Sequence, residues 1–167
     1  MKLRNKSFFA LFAVGAAFLL TVTGCKKSSS SSGSTGLSAT ISGSVWTSNI
    51  PVQGLYSTAG GAFELIGGYY KSGDTTALAV QFSTPFVLHT AISSDTAGVD
   101  IGYVNAKTLT QYDGGAIAGH SILTVSSWDS VNHKISGTFS GVLYNTSGGT
   151  DSLIVTNGSF TTSYTVQ

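Results

Sequence analysis

Ser121–Trp128 (SILTVSSW), Asp129–His133 (DSVNH) and Lys134–Tyr144 (KISGTFSGVLY) decide how this chain folds. The first run alternates apolar and hydroxyl side chains, the pattern of a strand with one buried face. The second is a cluster of turn-forming residues in which Asn132 suits a left-handed position. The third is another strand, with Ile135, Phe139 and Leu143 on one face. Strand, turn and strand in succession predict a β-hairpin.

The same period continues outward. Asn145–Asp151, with Gly148 and Gly149 inside it, turns the chain again. Ser152–Thr156 and Ser159–Val166 read as strands, with Asn157–Gly158 as a bulge or corner between them. Upstream, Phe63–Tyr70 and Thr75–Phe82 flank a hairpin turn at Lys71–Asp74. Ala39–Trp46 reads as one alternating strand, and Phe86–Ile92, Val99–Val104 and Thr108–Tyr112 as shorter ones. Pro51 and Pro85 mark breaks between runs. Past Leu37 no segment keeps apolar residues at helical spacing. The expectation is an all-β chain: one antiparallel β-sandwich or barrel-like domain over 37–167, with about eight to ten strands.

Composition agrees with a folded domain and narrows its partners. Charged residues are 9% of the 167, against roughly 25% in an average soluble protein. Yet the chain holds 7 Tyr, 9 Phe and 2 Trp, which sets it apart from a disordered one. The charges are sorted along the sequence. Lys2, Arg4, Lys6, Lys26 and Lys27 crowd the start, whereas from Leu37 onward Lys71, Lys107 and Lys134 face Glu64, Asp74, Asp95, Asp100, Asp113, Asp129 and Asp151. A mildly acidic domain without arginine lacks the basic footprint that nucleic acid requires.

The start of the chain reads as an address. Met1–Lys6 is basic, Phe8–Val22 is an uncharged apolar run, and Val22-Thr23-Gly24-Cys25 closes it. This is the layout of a secretory signal peptide over residues 1–24. The closing four residues resemble the lipobox of bacterial lipoproteins. The resemblance implies cleavage between Gly24 and Cys25 and a diacylglyceryl thioether on Cys25, the chain's single cysteine. An uncleaved membrane helix over Ser7–Gly24 is the alternative, weakened by Thr21, Thr23 and Gly24 at its distal end. Residues 25–36 then form a Ser/Gly-rich tether. The implied location is the exported, lipid-anchored face of an outer membrane, with the membrane as partner through Cys25.

Lys134–Gly141 (KISGTFSG) and Val155–Phe160 (VTNGSF), following Trp128-Asp129, resemble the C-terminal half of a family of small Bacteroidota lipoproteins of unknown function. Val45-Trp46-Thr47 resembles that family's Trp-bearing first strand. The resemblance implies fold and address and brings no mechanism.

Candidate chemistry is sparse. His89, His120 and His133 show no metal-ligand spacing, so no metal or other cofactor is expected. No nucleophile elbow is present and no catalytic residue is assigned. Asp95 and Asp100 on one stretch fall short of the oxygens calcium needs. Trp46 and Trp128 are candidate ligand-stacking aromatics, with core packing as the competing role. Asp74-Thr75-Thr76, Asp95-Thr96-Ala97, Asp129-Ser130-Val131 and Asp151-Ser152-Leu153 resemble the acceptor pattern of periplasmic O-glycosylation in Bacteroidota. That resemblance implies Thr75, Thr96, Ser130 and Ser152 as modification sites, although Asp-Ser and Asp-Thr also start turns. The expected function is a monomeric, non-enzymatic envelope or interaction module with a glycan or envelope-protein partner. A carbohydrate-binding accessory lipoprotein is the alternative, and a small hydrolase a more distant one.

Overall fold

The sheet grows outward from the hairpin that the sequence marks most plainly. The computed structural model describes residues 35–115 and 120–167. The leader, Cys25 and the tether up to Ser34 lie outside the described residues. Of the remainder, the strands are β1 (Gly36–Ile41), β2 (Ser44–Thr47), β3 (Ile50–Ser57), β4 (Ala62–Lys71), β5 (Asp74–Ser83), β6 (Ala91–Ser93), β7 (Asp100–Asn105), β8 (Thr110–Asp113), β9 (Ser121–Asp129), β10 (Lys134–Asn145), β11 (Ser152–Ser163) and β12 (Thr165–Val166). A single helical turn, α1 (Ser94–Ala97), interrupts them.

All twelve strands belong to one sheet. Its path runs β12-β3-β4-β5-β7-β8-β10-β11-β1-β2, with β9 paired to β10 and β6 paired to β9. Every pairing is antiparallel except β12 with β3. The path is open, but β12 is the covalent continuation of β11 through Tyr164, so the sheet curls back on itself. β10 joins the halves: it pairs β11 along one side, β9 over Lys134–Gly141 on the other, and β8 only at Tyr144 and Asn145. The all-β architecture read from the sequence is the one observed, consistent with a sandwich or barrel-like domain, with twelve strands among the described residues where about eight to ten were expected.

The inward side chains close a single core that includes Leu37, Phe63, Phe82, Ile101, Leu123, Phe139 and Phe160. Each such aromatic or Leu contributes roughly 1.5–3 kcal/mol by leaving water. In a chain without a disulfide, this burial carries most of the stability.

Local details correct the sequence reading. Ala39–Trp46 is not one strand. Ser42 (φ 46) and Gly43 (φ 85) are both left-handed and fold it into the β1–β2 hairpin. Strand β3 escaped the reading because Pro51 looked like a break, whereas Pro51 sits at a register irregularity between Ile50 and Gln53, where a missing N–H is tolerated. Of Phe86–Ile92 only the end is strand; His89 is left-handed (φ 60) and Thr90 N–H bonds Val87 C=O in a tight turn. In the β9–β10 turn His133, not Asn132, takes the left-handed position (φ 50), while Asn132 donates from backbone and side chain to Asp129. Ser152–Ser163 is one strand with a bulge around Asn157, at Thr156–Asn157 against β10 and at Asn157–Gly158 against β1, and Asn157 is left-handed (φ 51). A Cβ on Gly158 would collide with the Phe139 carbonyl oxygen, so the bulge requires glycine there.

Candidate functional site

Aromatic residues gather at one end of the core. Tyr56, Phe63 and Phe82 are opposite one another across β3, β4 and β5. Side chains in such rows share a face, and here the rings stack, with centroids 4.5 Å apart for Tyr56–Phe63 and 5.1 Å for Phe63–Phe82. Tyr164 and Trp128 meet Phe63 edge-on at 5.1 and 5.9 Å. Phe86 packs on Trp128 at 5.2 Å.

Trp128 reaches this cluster because of a bulge. Ser136 pairs Ser127, but Gly137 pairs Val125, so Ser126 is an extra residue on β9. Strict alternation from the buried Val125 would have turned Trp128 outward; the extra residue turns it inward, opposite Ile135. Bulges re-aim side chains in this way. The indole N–H donates to the Tyr164 hydroxyl at 2.8 Å, which fixes the ring plane. The ring is nevertheless 40% exposed, and beside Phe86 the chain leaves Val87 67% exposed. One large apolar ring with an exposed valine near it thus reaches solvent on a rigid support, the kind of surface on which ligands dock.

Trp46 has the other role weighed for it. It is buried and donates its ring N–H to Thr76 Oγ1 at 2.9 Å. The two tryptophans therefore form no shared platform. Among the proposed acceptor residues Ser130 and Ser152 are exposed and Thr75 is half-buried; the Thr96 side chain lies outside the described residues. The aspartates before them serve the fold. Asp74 pairs with Lys107 at 3.0 Å. Asp129 accepts from Val131 N–H and Asn132 N–H, and Asp151 accepts from the Tyr112 hydroxyl at 2.5 Å and from Asn145 Nδ2 at 2.7 Å. These bonds hold the carboxyls of Asp129 and Asp151 below the usual range, chiefly through Asn132 and Tyr112 respectively.

Asp95 and Asp100 do not act together. Asp95 Oδ2 contacts His120 Nδ1 at 3.0 Å with both side chains more than half exposed, so water weakens the pair. Asp100 instead meets Asp113 at the end of the β7–β8 hairpin, where Gly115 N–H donates to Oδ1 of both, at 2.8 and 2.7 Å. Burial, then the Asp113 charge and hydrogen bond, push the Asp100 carboxyl up to about 7. Asp100 can therefore keep its proton near neutral pH. In the strand register Asp100 is also opposite Gln81, and Gln81 opposite Glu64, with Gln81 Nε2 donating to Glu64 Oε1 at 3.1 Å. Burial raises the Glu64 carboxyl as well. The sequence reading missed this row. Its signal was the β7–β8 turn: once Asn105 is set opposite Thr110, Asp113 falls opposite Gly102, two residues from Asp100. Among the described residues no cluster of His, Cys, Asp and Glu could hold a metal ion.

Comparison with family models, with curated proteins and with solved structures finds no match to this chain.

Proposed function

We propose that this chain is a lipid-anchored, non-enzymatic binding module of a bacterial cell envelope. It is held at the outer membrane through Cys25 and engages a glycan or an envelope protein with its aromatic end. The observation that carries the binding half is the Trp128 ring, inward-facing by virtue of the Ser126 bulge, fixed by Tyr164 and still 40% exposed. An indole held in that way supplies apolar area without losing rotamer freedom on binding. The anchoring half rests on Val22–Cys25 and the Ser-rich tether behind it. Acyl chains contribute about 0.8 kcal/mol per buried CH₂, enough in combination for stable attachment.

Two measurements test the reading. Membrane fractionation with intact mass should find the native chain lipidated and cut before Cys25, and Cys25→Ala free of lipid and released from the membrane fraction. A full-length 167-residue Cys25→Ala chain in the membrane fraction would refute the anchor. For the binding half, titration of the anchored chain with oligosaccharides and envelope extracts should lose any response in Trp128→Ala while the fold persists.

The carbohydrate-binding reading is favoured by one feature, the partly exposed indole of Trp128, an aromatic ring whose flat shape suits the apolar face of a pyranose. A glycan array on which Trp128→Ala and the native chain give the same signals would remove it. The hydrolase reading draws on the solvent-exposed Asp95–His120 pair and on the Asp100–Asp113 carboxyls, and is not adopted.

A further inference from the structure

The pairing path ends in two strands, β12, which is two residues long, and β2. The hydrogen-bond pattern of β2 follows from its turn. A two-residue turn makes Ile41 and Ser44 the pair that exchanges both backbone bonds, and alternation makes Ala39–Trp46 the next such pair. The Ser48 N–H bond to Leu37 C=O at 2.9 Å continues that series. The N–H and C=O groups of Val45 and Thr47 therefore point away from the sheet, a ready strand template.

Sheets guard such edges with Lys, Pro, bulges or inward charges. Ser44–Thr47 (SVWT) is short, at four residues, but has none of these, and its register with β1 is unbroken. The strand is also rigid, because Trp46 is buried and bonded to Thr76 on β5. Val45 stands 84% exposed on the outer face.

We propose that a second copy of this chain adds its own β2 to this edge, antiparallel, about a two-fold axis at Trp46. The edge is self-complementary in that register. Val45 and Thr47 of each copy exchange backbone bonds with Thr47 and Val45 of the other, and each Val45 side chain lies against a Thr47 methyl group. Neither edge carries an ionisable group, so identical copies meet without like-charge repulsion. The contact is far smaller than the roughly 1,000 Å² of a stable solution dimer, which leaves the free domain monomeric. The inference rests on the anchor reading, because the membrane supplies the concentration. The ten residues 26–35 between Cys25 and β1 cannot reach beyond about 3.3–3.6 Å × 10, or roughly 35 Å, and confinement to so thin a layer favours weak pairing. The tether enters the hairpin that carries the free edge.

Disulfide trapping in native membranes tests the pairing and its register. The native thiol is occupied by lipid, so engineered cysteines are the free ones. In the proposed register residue 45 of one copy is opposite residue 47 of the other, whereas like positions are about 8–9 Å apart, beyond disulfide reach. Co-expression of full-length Val45→Cys with full-length Thr47→Cys should give several-fold more oxidised dimer than either variant alone. A control pair on the same face away from the edge, Ile154→Cys with Thr156→Cys, should show no such excess. Membrane-bound protein with no excess, or with the same excess in the control, overturns the inference and leaves the anchor standing. Protein found in the soluble fraction sinks the anchor reading, and the inference with it.

Discussion

The two halves of the sheet use their outward faces in opposite ways. On β4 and β5 the residues pointing away from the core, Glu64, Ile66, Ala79 and Gln81, are themselves buried. The row continues through Asp100 toward Asp113 and is held by side-chain hydrogen bonds. On β9, β10, β11, β1 and β2 the outward residues include Thr124, Thr138, Ser159, Ser38 and Thr47, a hydroxyl surface with Ser38 and Ser159 bonded at 3.0 Å. The first half stakes stability on ionisable groups that prefer one protonation state. The second places small hydroxyls that tolerate water, protein or glycan equally, and it ends in the free edge of β2. The contrast separates an outward face built on buried carboxyls from one built on small hydroxyls.

The largest expected effect falls where the first half meets the core. Phe63 touches Tyr56, Phe82, Phe86, Trp128 and Tyr164, so Phe63→Ala should destabilise by about 3–5 kcal/mol in urea titration. A loss below about 1 kcal/mol would mean that the aromatic end is loosely packed.

Asp100 gives the next effect and fixes its sign. Its folded carboxyl is raised to about 7 from 3.8 by burial and by Asp113. Between those values the folded state holds a proton that the unfolded chain has released, so stability should fall as pH rises through that window and level off above it. Asp100→Asn should flatten the decline and stabilise the chain on the order of 2 kcal/mol at about pH 8, with little change at about pH 4. Asp129 and Asp151 act in the opposite sense, their bonds being lost as pH falls below the ordinary carboxylate range. A native stability that rises between pH 4 and 7 would contradict the assignment.

Much of this was legible in the sequence, and the misses have physical causes. The β9–β10 hairpin and the β4–β5 turn were plain because alternation and turn residues agree there. The β1–β2 turn was hidden because Ser42-Gly43 sits inside an alternating run. Trp128 was recognised as a candidate, but its inward aim depends on the Ser126 bulge, and a single inserted residue leaves almost no trace in a Ser-Ser pair. The Asp100–Asp113 pair needed the β7–β8 register, which no local pattern supplies. The smallest expected effect belongs to the hydroxyl face: Thr138→Val and Thr161→Val, on exposed outward positions, should each change stability by less than about 0.5 kcal/mol. A loss several-fold larger would show that this face is covered in the native chain.

The central claim, that the domain offers Trp128 to a partner while Trp46 holds the fold, is open to one direct measurement. With only 2 Trp in the chain, acrylamide quenching of fluorescence reads each in turn. Trp128→Phe should leave a blue-shifted emission from Trp46 that acrylamide barely quenches, so that most of the quenching of the native chain vanishes with the Trp128 ring. Strong quenching that persists in Trp128→Phe would place the accessible indole at Trp46 and contradict the account.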